Sequence, residues 1–201
     1  MDPNYYENPE NVASYTRFTP THDGAALVEL LASHLPPRAR VLELGMGPGT
    51  DFEKLAAHFQ VTGSDFSRAF LDRYRALDDS ADLLQLDART IDTDRRFDAI
   101  FSNKALIHFS ADELRQSFDR QYEVLNDRGL ILHSFWYGEG QADFNDLTLV
   151  YHNAADLADM LSGSFEILAL DRHAKMAEGD SILVLARKQP EGSSAGRLAR
   201  L

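Results

Sequence analysis

Two kinds of apolar pattern alternate along the chain. In one, apolar residues recur at intervals of three and four, as on one face of a helix. In the other, short unbroken apolar runs resemble buried strands. The helical pattern covers 27–34, 51–59, 70–77, 114–125 and 157–161, and the strand-like runs are 40–44, 61–64, 83–86, 97–102, 130–135, 165–170 and 181–186. Pro36 and Pro37 are predicted to end the first helix, and Gly129 lies just past the end of the fourth.

Strands that alternate with helices predict parallel pairing through right-handed crossovers, with helices on both faces of the sheet. The last two strand-like runs follow each other without a helix, and the polar stretch 171–180 between them favours a hairpin. The sequence therefore predicts an α/β fold. It is a three-layer sandwich around a mostly parallel seven-stranded sheet, with an antiparallel hairpin at the C-terminal edge.

The length of 201 residues suits one domain with a sizeable core. We expect residues 1–188 to form that domain and residues 1–36 to be an N-terminal helical cap, in which Pro9 interrupts the opening helix. The remaining segment, 189–201, is rich in Gly and Ser and is predicted to be a disordered tail.

Charge and composition exclude several classes of function. The chain has 20 basic and 32 acidic residues, a net charge of −12, which argues against nucleic acid as a partner. It has no cysteine, so disulfides, thiolate metal sites and cysteine nucleophiles are excluded. No histidine pair has the spacing of metal ligands, and we expect no metal. No apolar run reaches the roughly 20 residues that span a bilayer, and the acidic start is unlike a secretory signal. We expect a cytoplasmic protein.

The first strand runs into a glycine-rich turn, Glu43-Leu44-Gly45-Met46-Gly47-Pro48-Gly49-Thr50. Its G-x-G-x-G spacing differs from the G-x-G-x-x-G that binds a pyrophosphate, and it lacks the Gly-Lys-Ser/Thr of a phosphate loop. Glu43 would repel a pyrophosphate and suits a ligand with positive charge, such as an amino acid or a sulfonium. Tight packing alone also explains a glycine turn after a strand.

The stretch VLELGMGPGTDFEKLA resembles the first motif of the class I S-adenosylmethionine-dependent methyltransferases, and of their small stand-alone type in particular. FDAIFSNKALIHF and LNDRGLILHSFW resemble the later strand motifs of that class. The opening residues Tyr5, Asn8, Ala13 and Thr16 match its first helix. The resemblance implies a Rossmann-like sandwich, S-adenosylmethionine as cofactor, a small-molecule substrate, and a monomer or weak homodimer.

The resemblance also implies which residues contact the cofactor. Asp65, at the end of the second strand, would bind the two ribose hydroxyls, and Asp87, at the end of the third, the adenine amino group. Taken alone, Asp65 also suits a helix cap and Asp87 a turn. The full predicted set is Thr16, Glu43, Gly45, Met46, Gly47, Gly49, Thr50, Asp65, Phe66, Ser67, Asp87, Ala88 and Asn103.

Direct displacement at the sulfonium methyl needs mainly binding and alignment, and a base only if the acceptor loses a proton. His108 is the catalytic candidate, although a histidine that merely packs beside Phe109 is the alternative. Candidates for the acceptor pocket follow the fourth and fifth strands or lie in flanking segments, where a structural lid or a solvated lysine is the alternative reading. They are Tyr5, Lys104, Trp136, Tyr137 and Tyr151.

The leading hypothesis is therefore methyl transfer from S-adenosylmethionine to a small molecule of unknown identity. A non-catalytic protein that binds S-adenosylmethionine or S-adenosylhomocysteine and acts through a partner is the main alternative. A nicotinamide-dependent oxidoreductase ranks last because it requires the other glycine spacing.

Overall fold

A computed structural model describes residues 5–18, 24–144, 147–174 and 177–190. Within those ranges the strands are β1 (Arg40–Leu44), β2 (Gln60–Asp65), β3 (Leu83–Gln85), β4 (Phe97–Asn103), β5 (Leu125–Trp136), β6 (Gln141–Phe144), β7 (Leu147–Val150), β8 (Phe165–His173) and β9 (Ser181–Lys188). The α-helices are α1 (Pro9–Phe18), α2 (Ala25–Ala32), α3 (Thr50–Ala56), α4 (Arg68–Arg75), α5 (Ala111–Val124) and α6 (Ala154–Leu161). Tyr5–Glu7 and Leu106–His108 form short 3-10 turns.

Seven of the strands form one sheet in the order β3-β2-β1-β4-β5-β9-β8. The first five pair in parallel, whereas β9 is antiparallel to both of its neighbours. This confirms the predicted sandwich and its antiparallel edge hairpin. Because strand order reverses between β1 and β4, the carboxyl ends of these strands border the crevice where such sheets bind ligands.

Side chains alternate across β4 and divide the core into two layers. Ile100 belongs to the cluster that includes Leu114 of α5 and Leu157 of α6. Phe101, the next residue, belongs to the cluster on the opposite face, with Leu31 of α2 and Leu55 of α3. Helices therefore cover both faces, as expected for a mostly parallel sheet. No helix in the described part of the chain is long and apolar enough to cross a membrane.

The prediction around Gly129 is wrong. Helix α5 ends at Val124, and β5 begins at the next residue, so Gly129 lies inside the strand. The pairing with β4 shifts register between Phe97 and Ala99, which pair with Leu125 and Leu130 respectively. The polar residues between Leu125 and Leu130 form a bulge, although a polar stretch of this kind is typical of a turn. The hairpin of β6 and β7 was also missed.

Pro9 begins α1 and does not interrupt it. The first N–H groups of a helix have no partner within it, so proline is well tolerated there. Asn8 precedes the helix, and its side-chain oxygen accepts a hydrogen bond from Glu10 N at 2.9 Å. At the other end, Gln189 N donates to Ser164 O at 2.9 Å. Most of the predicted tail, residues 191–201, lies outside the described residues.

Replacing a central core residue tests this layering. Phe101 is fully buried in β4, so Phe101→Ala should lower the free energy of unfolding by about 3–5 kcal/mol in denaturant titrations. The control is Leu77→Ala, because the Leu77 side chain is 75% exposed, and we expect a change below about 0.5 kcal/mol. Equal effects of the two substitutions would contradict the described core.

Candidate active site

A cavity of about 510 Å³ opens at the carboxyl ends of the parallel strands. Its walls come from the turn after β1, the ends of β2 and β3, the segment after β4, the N-terminal segment and the β6–β7 hairpin. Its lining includes Tyr6, Tyr15, Gly45, Gly47, Asp65, Phe66, Ser67, Asp87, Ala88, Arg89, Lys104, His108, Glu113, Gln141, Thr148 and Val150. The size is that of a small-molecule site.

Asp65 joins the turn after β1 to the start of α4. One carboxylate oxygen accepts from Gly47 N at 2.9 Å, and the other accepts from Ser67 N at 2.8 Å. Burial raises the pKa of Asp65 to about 6, although the backbone donors oppose the shift. Each oxygen can accept more than one hydrogen bond. The carboxylate can therefore also accept from a ligand with two neighbouring hydroxyls.

The glycine turn brings backbone to the cavity wall. Gly45 has φ +67° and Gly47 has φ +52°, conformations that favour glycine. A Cβ at Gly45 would lie 2.4 Å from Ala105 Cβ. Any side chain at Gly45 would therefore clash with the segment after β4, and the turn keeps its close approach only with glycine.

Two buried carboxyl groups, those of Glu43 and Asp51, lie close to this turn. Glu43 is buried, and its Oε2 atom has no hydrogen-bond partner in the described ranges. Burial, followed by the nearby charges of Asp51 and Asp65, raises the pKa of Glu43 well above its ordinary value. Asp51 accepts from Gly24 N at 2.9 Å and from Asn103 Nδ2 at 2.8 Å. Acids packed this closely favour a ligand with positive charge.

Asp87 is held by an arginine that the sequence analysis did not single out. Asp87 Oδ1 accepts from Arg89 Nε at 2.9 Å, and Asp87 Oδ2 accepts from Arg89 Nη2 at 2.8 Å. Arg89 Nη1 also donates to Glu113 Oε1 at 2.9 Å. A ligand that reaches Asp87 therefore shares its carboxylate with Arg89, and the backbone of Ala88 lies beside it in the wall.

His108 lines the cavity next to the β6–β7 hairpin. Its Nδ1 lies 2.9 Å from Thr148 O, and because a carbonyl only accepts, Nδ1 carries the proton. In the neutral ring, Nε2 is then the atom that accepts a proton. Burial lowers the pKa of His108, so the neutral form dominates near pH 7. The Tyr6 ring lies 6.2 Å from the His108 ring, centroid to centroid.

Residues 41–129 match a family model described as a methyltransferase domain. The matched segment contains the glycine turn, Asp65 and Asp87. A search of curated protein sequences found no match.

Solved structures of several methyltransferases have similar folds. Burkholderia thailandensis 1,6-didemethyltoxoflavin-N1-methyltransferase, bound to 1,6-didemethyltoxoflavin and S-adenosylhomocysteine, is 20% identical, with TM-score 0.74 over 90% of this chain and 87% of that one. DhpI, in complex with S-adenosylhomocysteine, is 22% identical, with TM-score 0.74 over 94% and 95%. The N-methyltransferase NodS from Bradyrhizobium japonicum WM9 is 18% identical, with TM-score 0.72 over 93% and 100%. At these identities, the likeness shows the fold.

The structure brings several predicted cofactor residues to the cavity: Gly45, Gly47, Asp65, Phe66, Ser67, Asp87 and Ala88. The other members of the predicted set are not among the residues that line the cavity. Glu43 is buried close to the turn, Met46 packs in a cluster with Phe52 and Tyr74, Gly49 and Thr50 begin α3, Asn103 donates to Asp51, and Thr16 donates to Val12 O within α1.

Of the five predicted acceptor-pocket residues, only Lys104 lines the cavity as described. Its Nζ donates to Phe135 O and to Ser181 Oγ, and lies 3.8 Å from the centroid of the Trp136 ring. Trp136 therefore supports Lys104 from outside the lining. The remaining three lie elsewhere: Tyr137 is beneath the Arg172 guanidinium, Tyr151 follows the hairpin, and Tyr5 packs edge-on against Tyr6.

Sequence reasoning missed Tyr6, Tyr15, Arg89 and the hairpin residues Gln141, Thr148 and Val150. Tyr6 packs on Tyr15 and on Phe70 of α4, with ring centroids 5.6 Å and 5.8 Å away. The aromatic run Tyr5-Tyr6 was a signal for this contact, but it did not say which ring faces the cavity. The polar alternation of 141–150 was the available signal for the hairpin.

Replacing Asp65 tests its place in the ligand site. We expect Asp65→Asn to weaken binding of S-adenosylhomocysteine about 10- to 100-fold in calorimetry, because charge-assisted hydrogen bonds to the ligand are lost. Asp82→Asn is a matched control, since Asp82 binds Arg95 and Thr62 away from the cavity. Unchanged affinity in Asp65→Asn would contradict this assignment.

The raised pKa of Asp65 also predicts a pH dependence. Its carboxylate is ionised well above pH 6 and becomes protonated as the pH falls through about 6. The dissociation constant of S-adenosylhomocysteine should therefore stay level between about pH 8 and pH 7 and rise below about pH 6. Calorimetry across this range measures the effect, and Asp65→Asn should lack most of that rise. An equal rise in the variant would assign the titration to another group.

Proposed function

We propose that the protein transfers a methyl group by direct displacement to a nitrogen atom of a small molecule, with His108 receiving the proton that this nitrogen loses. The observation that carries the proposal is the neutral His108 ring, fixed by Thr148 O, in the same cavity as Asp65. A base with its proton-accepting atom unprotonated at neutral pH suits an acceptor that must be deprotonated during attack.

The residues around the cavity fit S-adenosylmethionine. When bound, it supplies a methyl group already activated by attachment to a sulfonium. The turn at Gly45 and Gly47 allows close approach, Asp65 would accept from the ribose hydroxyls, and Ala88 and Asp87 would meet the adenine. Glu43, with an unpartnered buried oxygen, would support the positively charged end of the ligand.

A nitrogen acceptor is supported by the named reactions of two structural neighbours. One is an N1-methyltransferase bound to a small molecule, and NodS is an N-methyltransferase. In this chain, the hairpin residues Gln141, Thr148 and Val150 lie on the same side of the cavity as His108, which Thr148 contacts directly. We assign this end to the acceptor, and Lys104, held by Phe135 O and Ser181 Oγ, forms part of its wall.

The net charge of −12 supports a neutral or cationic small acceptor over nucleic acid. We further propose that residues 1–188 act as one catalytic domain, with 1–36 as the cap, and that the protein works as a monomer or weak homodimer in the cytoplasm. The cap contributes Tyr6 and Tyr15 to the cavity wall, which gives it a role in enclosing the reaction.

Replacing His108 separates turnover from binding. We expect His108→Gln to lower kcat at least about a hundredfold, because a general base is lost, while binding of S-adenosylhomocysteine stays within about twofold. The assay follows release of S-adenosylhomocysteine from S-adenosylmethionine with a panel of small heteroaromatic nitrogen compounds, amines and phenols. His34→Gln is the control, since His34 is exposed and lies in the turn after α2.

Full activity of His108→Gln would remove His108 from the mechanism without touching the cofactor assignment. Binding of S-adenosylhomocysteine without turnover of any acceptor would instead favour a non-catalytic binding protein. Failure of the wild-type protein to bind it would overturn the proposal altogether.

A further inference from the structure

Four polar side chains without solvent exposure form a continuous hydrogen-bond path inside the core. Ser102 Oγ lies 2.7 Å from His133 Nδ1, and His133 Nε2 lies 2.8 Å from Gln121 Oε1. Gln121 Nε2 donates to Ser117 Oγ at 3.0 Å, and Ser117 Oγ donates to Ala88 O at 2.7 Å. We call Ser102, His133, Gln121 and Ser117 the core relay. It runs from β4 through β5 and α5 to the wall of the cavity.

The direction of every bond in the core relay follows from its two ends. Ser117 must donate to Ala88 O, because a carbonyl only accepts, so Ser117 Oγ accepts from the Gln121 amide. The amide oxygen of Gln121 then accepts from His133 Nε2, which leaves His133 Nδ1 to accept from Ser102. Burial lowers the pKa of His133 to about 3, so the ring stays neutral. No polar atom of the core relay is left unsatisfied.

Four polar groups can lie away from water here because each is hydrogen-bonded. What the core relay adds is position, since it ends on Ala88, between Asp87 and Arg89 in the cavity wall. The loop that follows is tightly turned: Thr90 N and Ile91 N both donate to Asp87 O, at 3.1 Å and 2.8 Å, and Ile91 has φ +40°.

Helix α5 holds this loop at two further points. Arg120 donates to the carbonyl oxygens of Thr90 and Ile91 at 3.0 Å and 3.1 Å, and Glu113 binds Arg89. Glu113, Ser117 and Arg120 are spaced i, i+4 and i+7, so they lie on one face of the helix. That face makes polar contacts with the whole loop, from Arg89 to Ile91.

We propose that Ser117, oriented by Gln121, is a positioning residue that fixes the Asp87–Ala88 wall for the adenosine end of the cofactor. This inference rests on the proposed function for the identity of the ligand. It adds a determinant of affinity that lies in the core and lines no part of the cavity.

The test compares two serine substitutions at opposite ends of the core relay. Both Ser117 and Ser102 are fully buried, and each substitution to alanine removes one hydroxyl from the path. We expect Ser117→Ala to weaken binding of S-adenosylhomocysteine about fivefold and of adenosine by the same factor. Ser102→Ala, which leaves the bonds from Gln121 to Ala88 in place, should change both affinities less than about twofold.

A second variant separates lost hydrogen bonding from lost volume. Ser117→Cys keeps a side chain of similar size with a weak donor, and we expect it to weaken binding as Ser117→Ala does. Amide hydrogen exchange of Thr90 and Ile91, measured without ligand, should be faster in both Ser117 variants and unchanged in Ser102→Ala. Thermal unfolding of each variant confirms that the protein compared is folded.

Equal affinity and equal exchange in Ser117→Ala and the wild type would overturn the inference. An equal loss in Ser102→Ala would also overturn it, because the effect would then be a general weakening of the core. If the Ser117 variants do not fold, Arg120→Met takes their place. Its control is Arg115→Met, because Arg115 lies on the same helix and binds Asp112 and Asp159 instead of the loop. Failure of the wild type to bind S-adenosylhomocysteine would contradict the proposed function, and the exchange of Thr90 and Ile91 would still decide whether Ser117 fixes the loop.

Discussion

The carboxylate of Asp65 is the contact on which the geometry of the site depends. It accepts from Gly47 N and Ser67 N, and so fixes the glycine turn after β1 relative to the start of α4. Ser67 Oγ in turn donates to Tyr6 O at 2.5 Å, which attaches the N-terminal segment to the same corner. One half-buried acid thus aligns three walls of the cavity, and backbone donors partly offset the cost of its desolvation.

The parts of this site that sequence reasoning found are those with a local signal. β1 was predicted with its observed bounds because a short apolar run ends at glycines, and the positive φ angles of Gly45 and Gly47 explain why glycine stands there. Asp65 and Asp87 are acids where a strand ends or has just ended, and parallel strands bring those ends to one edge. In each case the residue type and its place at the end of a predicted strand were enough to predict the site residue.

The parts that it missed depend on contacts between segments distant in the sequence. Tyr6 meets the cavity because it packs on Phe70, and His108 is oriented by Thr148, on a hairpin that the sequence analysis did not predict. Gly129 shows the opposite error: a polar stretch that looks like a turn is a bulge held by pairing with β4. The spacing of apolar residues and the secondary-structure propensity of each residue type do not specify such partners, because tertiary packing decides them.

Three neighbouring acids also give the cavity a preference between charged and neutral ligands. Glu43, Asp51 and Asp65 lie close together, and the nearest cation is Lys54, 4.0 Å from Asp51 within the described residues. Burial raises the pKa values of Glu43 and Asp65, and the charges of Asp51 and Asp65 add to the shift at Glu43. A sulfonium would lower these pKa values, whereas its neutral thioether product would relieve less of the repulsion. Under the proposed function, the same arrangement that would attract the methyl donor would favour release of what remains after transfer.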